Sequence, residues 1–164
     1  MPELTMEMVP EPLWGISLAN LMPKERWDVL RKRVYREYDY HCGVCGASNT
    51  TMYCHEIWRY DDFAHVQTLT GFIALCQMCH HVKHLGRAGI LASEGKLDYQ
   101  QVILHYCRVN ECEATQFSMD RDEADYEWGE RSEHEWSSTL GIYGHLLPDF
   151  QARVEAKRNR QAII

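Results

Sequence analysis

The sequence predicts a small α+β fold resting on a four-cysteine metal knuckle, with flanking α-helices and a helical C-terminal lobe. Three observations lead there. Cys42-x2-Cys45 and Cys76-x2-Cys79 are two evenly built hooks separated by thirty residues. The stretch from Thr51 to Trp58 is rich in β-branched and aromatic residues, as strands are. Apolar side chains recur at helical spacing before the first hook and after the second. With 164 residues, 45 % hydrophobic and 25 % charged, the composition is that of a globular protein and excludes collagen-like or wholesale disordered chains.

Each element follows from its local pattern. Residues 1–22 carry Pro2, Pro10 and Pro12 without any period and read as an irregular arm packed down by Trp14. Pro23 suits a first helical position, and Trp27, Leu30, Val34 and Tyr38 follow on one face, giving a helix over 23–38. Arg59 to Gln67 reads as a polar loop and Gly71 to Leu75 as a short apolar strand. A helix should run from Cys76 or Gln77 to His84 and stop near Gly86 and Gly89. Leu97 to Val109 is expected to be a second helix, with Val102, Ile103 and Tyr106 on one face. A third, acidic helix has Phe117, Ala124 and Trp128 in a stripe, and Pro148-Asp149 starts a last one reaching 160. The parts are then an arm and basic helix (1–39), a zinc-stabilised core (40–90) and a helical, acidic lobe (91–164).

Charge is unevenly distributed. Ten acids against Arg121 and Arg131 give Glu111–Glu135 a net −8 of the chain's −7, which leaves +1 for everything else. Lys24 to Arg36 carries a local +4, and Arg153 to Arg160 a local +3. The overall acidity argues against indiscriminate nucleic-acid binding, while the patches leave room for a localised contact. No stretch approaches the length of a membrane span. Met1 to Thr5 lacks a secretory signature, and seven cysteines without one fit a reducing, cytoplasmic setting.

The chemistry concentrates between 40 and 88. Two CxxC hooks can close four thiolates around one tetrahedral zinc, leaving no open position, so Cys42, Cys45, Cys76 and Cys79 form a structural site. His80 and His84, one helical turn apart, can grip a further cation, with His81 and His84 as a rival pair. Strand alternation sends His55 to one face and Cys54 and Glu56 to the other. Cys107 and Cys112 read as buried thiols. Arg31, Lys32 and Arg33, with Lys83 and Arg87, are candidate phosphate contacts, and Trp58 and Arg59 candidate stacking and cationic contacts to nucleic acid.

The two hooks, the strand Tyr53-Cys54-His55-Glu56-Ile57-Trp58 and the run Leu75-Cys76-Gln77-Met78-Cys79-His80-His81-Val82-Lys83-His84 together resemble the HNH endonuclease family. The flanks Pro12-Leu13-Trp14-Gly15 and Trp128-Gly129-Glu130-Arg131-Ser132 look like those of bacterial and phage proteins carrying the same label. The resemblance implies a ββα-metal core with one catalytic divalent cation (Mg²⁺, Mn²⁺, Ni²⁺ or Zn²⁺). It implies His55 as general base, His80 and His84 as metal ligands, and a further ligand at Cys54, just before the base. The family's middle asparagine has no counterpart: Gly71 stands there, and Asp61, Asp62, His65 and Gln67 are the nearby substitutes. Because thiolate is a poor Mg²⁺ ligand, Asp61 or Asp62 is an alternative third ligand. The expected activity is hydrolysis of phosphodiester bonds in nucleic acid, DNA before RNA. The rival reading is a catalytically silent zinc knuckle that binds nucleic acid or a protein, with the acidic lobe as a protein-binding or DNA-mimicking surface.

Overall fold

In the computed structural model, residues 3–162 are described. Residues 1, 2, 163 and 164, the outermost positions of the expected arm and lobe, lie outside them. The centre is a long antiparallel hairpin of β1 (Met52–Asp61) and β2 (Val66–Cys76), extended by a short β3 (Ser137–Thr139) that runs parallel to β2. Pairing starts at Met52 with Cys76 and continues to Asp61 with Val66, slipping by one residue where Ile57 faces Gly71 and Trp58 faces Leu69. The extra residue is Thr70, whose hydroxyl donates to the Ile57 carbonyl at 3.1 Å.

The hairpin corrects the expected loop over 59–67. Arg59 and Asp61 are exposed while Trp58 and Tyr60 are half-buried, so the stretch alternates as a one-sided strand does. Its turn is only Asp62–His65. Asp61 Oδ1 closes it by accepting the amides of Phe63 and Ala64.

Helices cover both faces. On one, α1 (Leu18–Leu21), α2 (Lys24–Glu37) and α7 (Phe150–Ala162) enclose Leu30, Val34, Leu69, Ala74, Phe150 and Val154. Glu56 reaches into this layer and accepts the amides of Leu18 and Ala19 at 2.7 and 3.2 Å, pinning β1 to α1. Burial pushes that carboxyl up to about 7 despite those two amides. On the other face, α3 (Gln77–Lys83), α5 (Tyr99–Asn110) and α6 (Ala114–Ser132) enclose Leu75, Val82, Val102, Tyr106 and Phe117. The helices of 91–164 thus divide between the two layers, α7 joining α1 and α2.

Between α3 and α5 the chain forms α4 (Leu85–Ser93), where a helix stop was expected. His84 breaks the helix at φ −111°, ψ 55°, but Gly86 and Gly89 lie inside the next one with open space around them. Each glycine costs about 1 kcal/mol relative to alanine, and burial of Leu85 and Ala88 offsets it. In α6 only Phe117 of the expected stripe is fully buried.

The arm is fastened by side chains. Asn110 holds Leu4 through its amide and carbonyl at 2.9 and 2.8 Å, and the Glu7 amide donates to the Lys83 carbonyl. Trp14 is half exposed but lies parallel to Trp128, with both indole N–H groups on the Val9 carbonyl.

The knuckle's Gly43 tests the fit of this core. A Cβ there would come within 2.6 Å of the Tyr38 ring and 2.7 Å of Ile73. Gly43→Ala is expected to lower stability by about 1–3 kcal/mol through overpacking. Urea unfolding of the metal-loaded protein measures it, and an unchanged midpoint would show that the ring gives way.

Candidate metal centres

The first cluster forms where the hairpin base meets a tight turn. Cys42 and Cys45 come from the turn after α2. It is closed by the Cys42 amide on the Ala47 carbonyl and tied to β2 by the Gly43 amide on the Ala74 carbonyl. Cys76 ends β2 and caps α3, its sulfur accepting the Cys79 amide at 3.4 Å. All four Sγ atoms lie within 4.8 Å of one another, and none is in a disulfide. Cys45 and Cys76 are 3.6 Å apart, close to the edge of roughly 3.8 Å that a tetrahedron with Zn–S bonds of about 2.3 Å requires.

The thiols themselves favour a cation. Cys42 is held well below the usual thiol range by hydrogen bonds from Cys76 and Cys79, whereas its presence pushes Cys76 up to about 11 and Cys79 higher still. Cys42 forms a thiolate readily while Cys76 and Cys79 resist, so the thiolates together need a positive centre. The cluster can hold one metal ion, zinc included.

Beside it lies a residue that the sequence reading passed over. Buried His105 of α5 places Nε2 3.1 Å from Cys79 Sγ, while Nδ1 receives the Arg108 guanidinium at 3.0 Å. With Nδ1 accepting, Nε2 carries the hydrogen and donates to sulfur. His105 and Arg108 thereby offset the excess negative charge of a four-thiolate centre. His105 lies between Leu104 and Tyr106, three positions from buried Val102; an imidazole on a helix's buried side was the signal available.

The second cluster is His55, His80 and His84, one ligand nitrogen from each lying within 4.8 Å of the others. His55 projects from β1, His80 from α3 and His84 from the junction of α3 and α4, the last two with ring centroids 4.7 Å from each other. His55 Nδ1 is 3.2 Å from His84 Nε2. Tyr53 stacks on His80 at 4.6 Å and 6°, fixing that ring. Burial, then the neighbouring histidines, lowers His80 to about 3; burial, then His55, lowers His84 to about 4. Both are neutral lone-pair donors at physiological pH, the form a metal needs.

His55 differs. Its Nε2 meets Glu7 Oε2 at 2.8 Å, and the other Glu7 oxygen meets the buried Lys83 ammonium at 2.8 Å. Burial would raise the Glu7 carboxyl, but the hydrogen bond from His55 and the Lys83 ammonium outweigh it and hold it at about 2. An ionised carboxylate on Nε2 fixes the hydrogen there and leaves the Nδ1 lone pair facing the helix histidines. Glu7 was not anticipated; the one cue was a charge set inside the apolar run Met6-Glu7-Met8-Val9.

Other expectations need correction. Cys54 is no ligand of this cluster: alternation turns it to the α2 layer, where burial pushes its thiol up to about 12. Asp61 is engaged at the distal hairpin turn, and Asp62 pairs with Arg131 at 2.7 Å. Lys83 is committed to Glu7 and Thr5 rather than to an external phosphate. Trp58 is half-buried, packing against the α2 layer and also lining the histidine groove. His81 stands outside the cluster. Arg31 pairs with Asp28 at 2.7 Å, while Lys32, Arg33, Arg59 and Arg87 are exposed.

The histidines open into a groove of about 650 Å³ that runs past Trp14, Trp27 and Arg31. A separate acidic cavity of about 600 Å³, with Glu3, Asp120, Glu123 and Glu127 on its walls, shares none of the cluster's residues. Among the described residues, no helix is long and apolar enough to cross a membrane. No family model, curated protein or solved structure matches this chain.

The histidine burial makes a pH prediction. Between pH 6.5 and about 4 an unfolded chain takes up protons that folded His80 and His84 refuse, so without added metal stability falls as pH falls. His80→Phe keeps the stack on Tyr53 and removes part of that slope. Urea unfolding at pH 5, 6 and 7 should show the two proteins converging toward acid pH, or the variant overtaking; parallel curves would exclude the effect.

Proposed function

We propose that this chain is a metal-dependent endonuclease of the HNH type that hydrolyses phosphodiester bonds in DNA. The observation that carries the reading is the convergence of three histidines from a hairpin and a helix on one point beside an open groove. Only one of the three carries a carboxylate partner.

In this reading His80 and His84 hold a divalent cation. Two imidazoles suit Zn²⁺, Ni²⁺ or Mn²⁺ better than Mg²⁺. Bound there, the cation would stabilise the charge that develops on the phosphate and on the leaving 3′ oxygen. His55 is the general base. Its Nδ1 accepts the proton of the attacking water, and Glu7 on Nε2 stabilises the imidazolium that results, as the orienting carboxylate of a catalytic triad does. Tyr53 keeps His80 oriented, and Lys83 keeps Glu7 in place. The four cysteines hold a structural zinc that fixes the start of α3, and so the spacing of the helix histidines from His55. Arg87, exposed beside His84, is placed to meet a phosphate.

Plasmid and oligonucleotide cleavage with each of the four cations tests the proposal. His55→Ala should lower the rate about 10²- to 10⁴-fold while both metal classes remain bound. His84→Ala should remove the weakly held ion and leave the cysteine-bound one. Retention of full cleavage by His55→Ala would exclude it as base, and loss of metal in that variant would make it a ligand instead. A protein that takes up one tight zinc and cleaves with no cation is a binding module.

A further inference from the structure

A second concavity, of about 460 Å³, adjoins the histidines and shares Trp14 and Arg87 with the groove. It shares Glu7 and His84 with the site and is walled by Met8, Trp14, Arg87, Ile90 and Trp128. Trp14 and Ile90 are 53 % and 61 % exposed although both are large and apolar. The two indoles are near-parallel, 17° apart, and both N–H groups are already satisfied by the Val9 carbonyl. What this pocket offers a ligand is therefore ring face and aliphatic surface, not hydrogen bonds from the indoles. Planar aromatic groups fit such a surface.

Charge narrows the choice further. Arg87 stands on one wall with no ion-pair partner among the described residues, so one phosphate backbone is accommodated there. From α6 the pocket receives Asp125 and the Trp128 ring, whereas Asp120, Glu123, Glu127 and Glu130 line the separate acidic cavity. A second backbone brought to this pocket, as in a duplex, would meet the Asp125 carboxylate, because Arg87 is the one lysine or arginine among the described residues on its walls. A base still paired in a duplex also has no free face to give.

From this we infer that the pocket takes an unpaired nucleobase next to the scissile phosphate, so that the substrate is a single DNA strand. The inference rests on the endonuclease reading for the identity of the strand. The base stacks on Trp14 and against Ile90, its phosphate meets Arg87, and the adjoining phosphate reaches the histidines. Asp125 is the acceptor available to a base with an exocyclic amino group.

The test reads binding separately from cleavage. The zinc-loaded full chain, with no other divalent cation added, is titrated into a single-stranded DNA oligonucleotide carrying 2-aminopurine, into the same strand annealed to its complement, and into an RNA of the same sequence. The expected result is saturable binding with a change in the fluorescence of the probe base, weakened at least 10-fold by annealing. Trp14→Leu should weaken it on the order of 10-fold or more, in keeping with the loss of a stacking platform. Ile90→Glu, at an exposed helical position, should do the same without risk to the fold.

Duplex bound as tightly as the single strand would overturn the inference, as would binding indifferent to both variants. Tighter binding of the RNA would overturn the assignment to DNA. Cleavage restricted to duplex would sink the pocket and leave the endonuclease standing. Single-strand binding that obeys the variants in a protein that cleaves nothing would support the pocket and sink the endonuclease.

Discussion

Four sulfurs within 4.8 Å of one another constrain this molecule more than any other contact. Without a cation, Cys42 forms a thiolate and Cys76 and Cys79 are driven to stay protonated. With one, the turn after α2, the end of β2 and the first turn of α3 become a single rigid joint. Cys76 matters most, because it is at once the last residue of β2 and the cap of α3. The direction in which α3 leaves the sheet is set there, and His80 and His84 follow within two turns. The joint decides where the histidines point.

A polar chain performs the complementary task on the other side of the histidines. Thr5 and Glu7 hold Lys83, Glu7 holds His55, and His55 faces His84. Lys83 and His84 are adjacent in sequence yet serve opposite ends of this chain, one as the charge that keeps Glu7 ionised and one as a neutral donor. Burial alone would have neutralised Glu7; the hydrogen bond from His55 and the Lys83 ammonium reverse the outcome.

What was legible in the sequence was whatever is local in it. The cysteine hooks and the four-residue spacing of His80 and His84 are read directly, and strand alternation places His55 opposite Cys54 and Glu56. The same alternation, followed two residues further, would have removed Cys54 from the ligand set. Polarity misled at Arg59 and Asp61, where an exposed strand edge resembles a loop, and at Ser137–Thr139, too short and too polar to announce pairing with β2. Glu7 and His105 lie 48 and 26 residues from their partners. Such contacts depend on how the arm and α5 cross the core, and no periodicity reports that path. Gly86 and Gly89 read as a stop because propensity was weighed without the burial of Leu85 and Ala88.

The manner in which the arm is attached has a consequence of its own. It forms no strand in the sheet; side chains of Asn110 and Lys83 and one main-chain hydrogen bond to α3 carry much of its attachment. The counter-charge of the hairpin histidine is therefore delivered by a separately anchored segment, whose Leu4 is buried in the α3–α5 layer, whereas the helix histidines follow the sulfur joint. In the reading proposed above, the carboxylate that orients the base and the pair that would grip the cation thus belong to separate parts of the chain, and a change in one need not disturb the other.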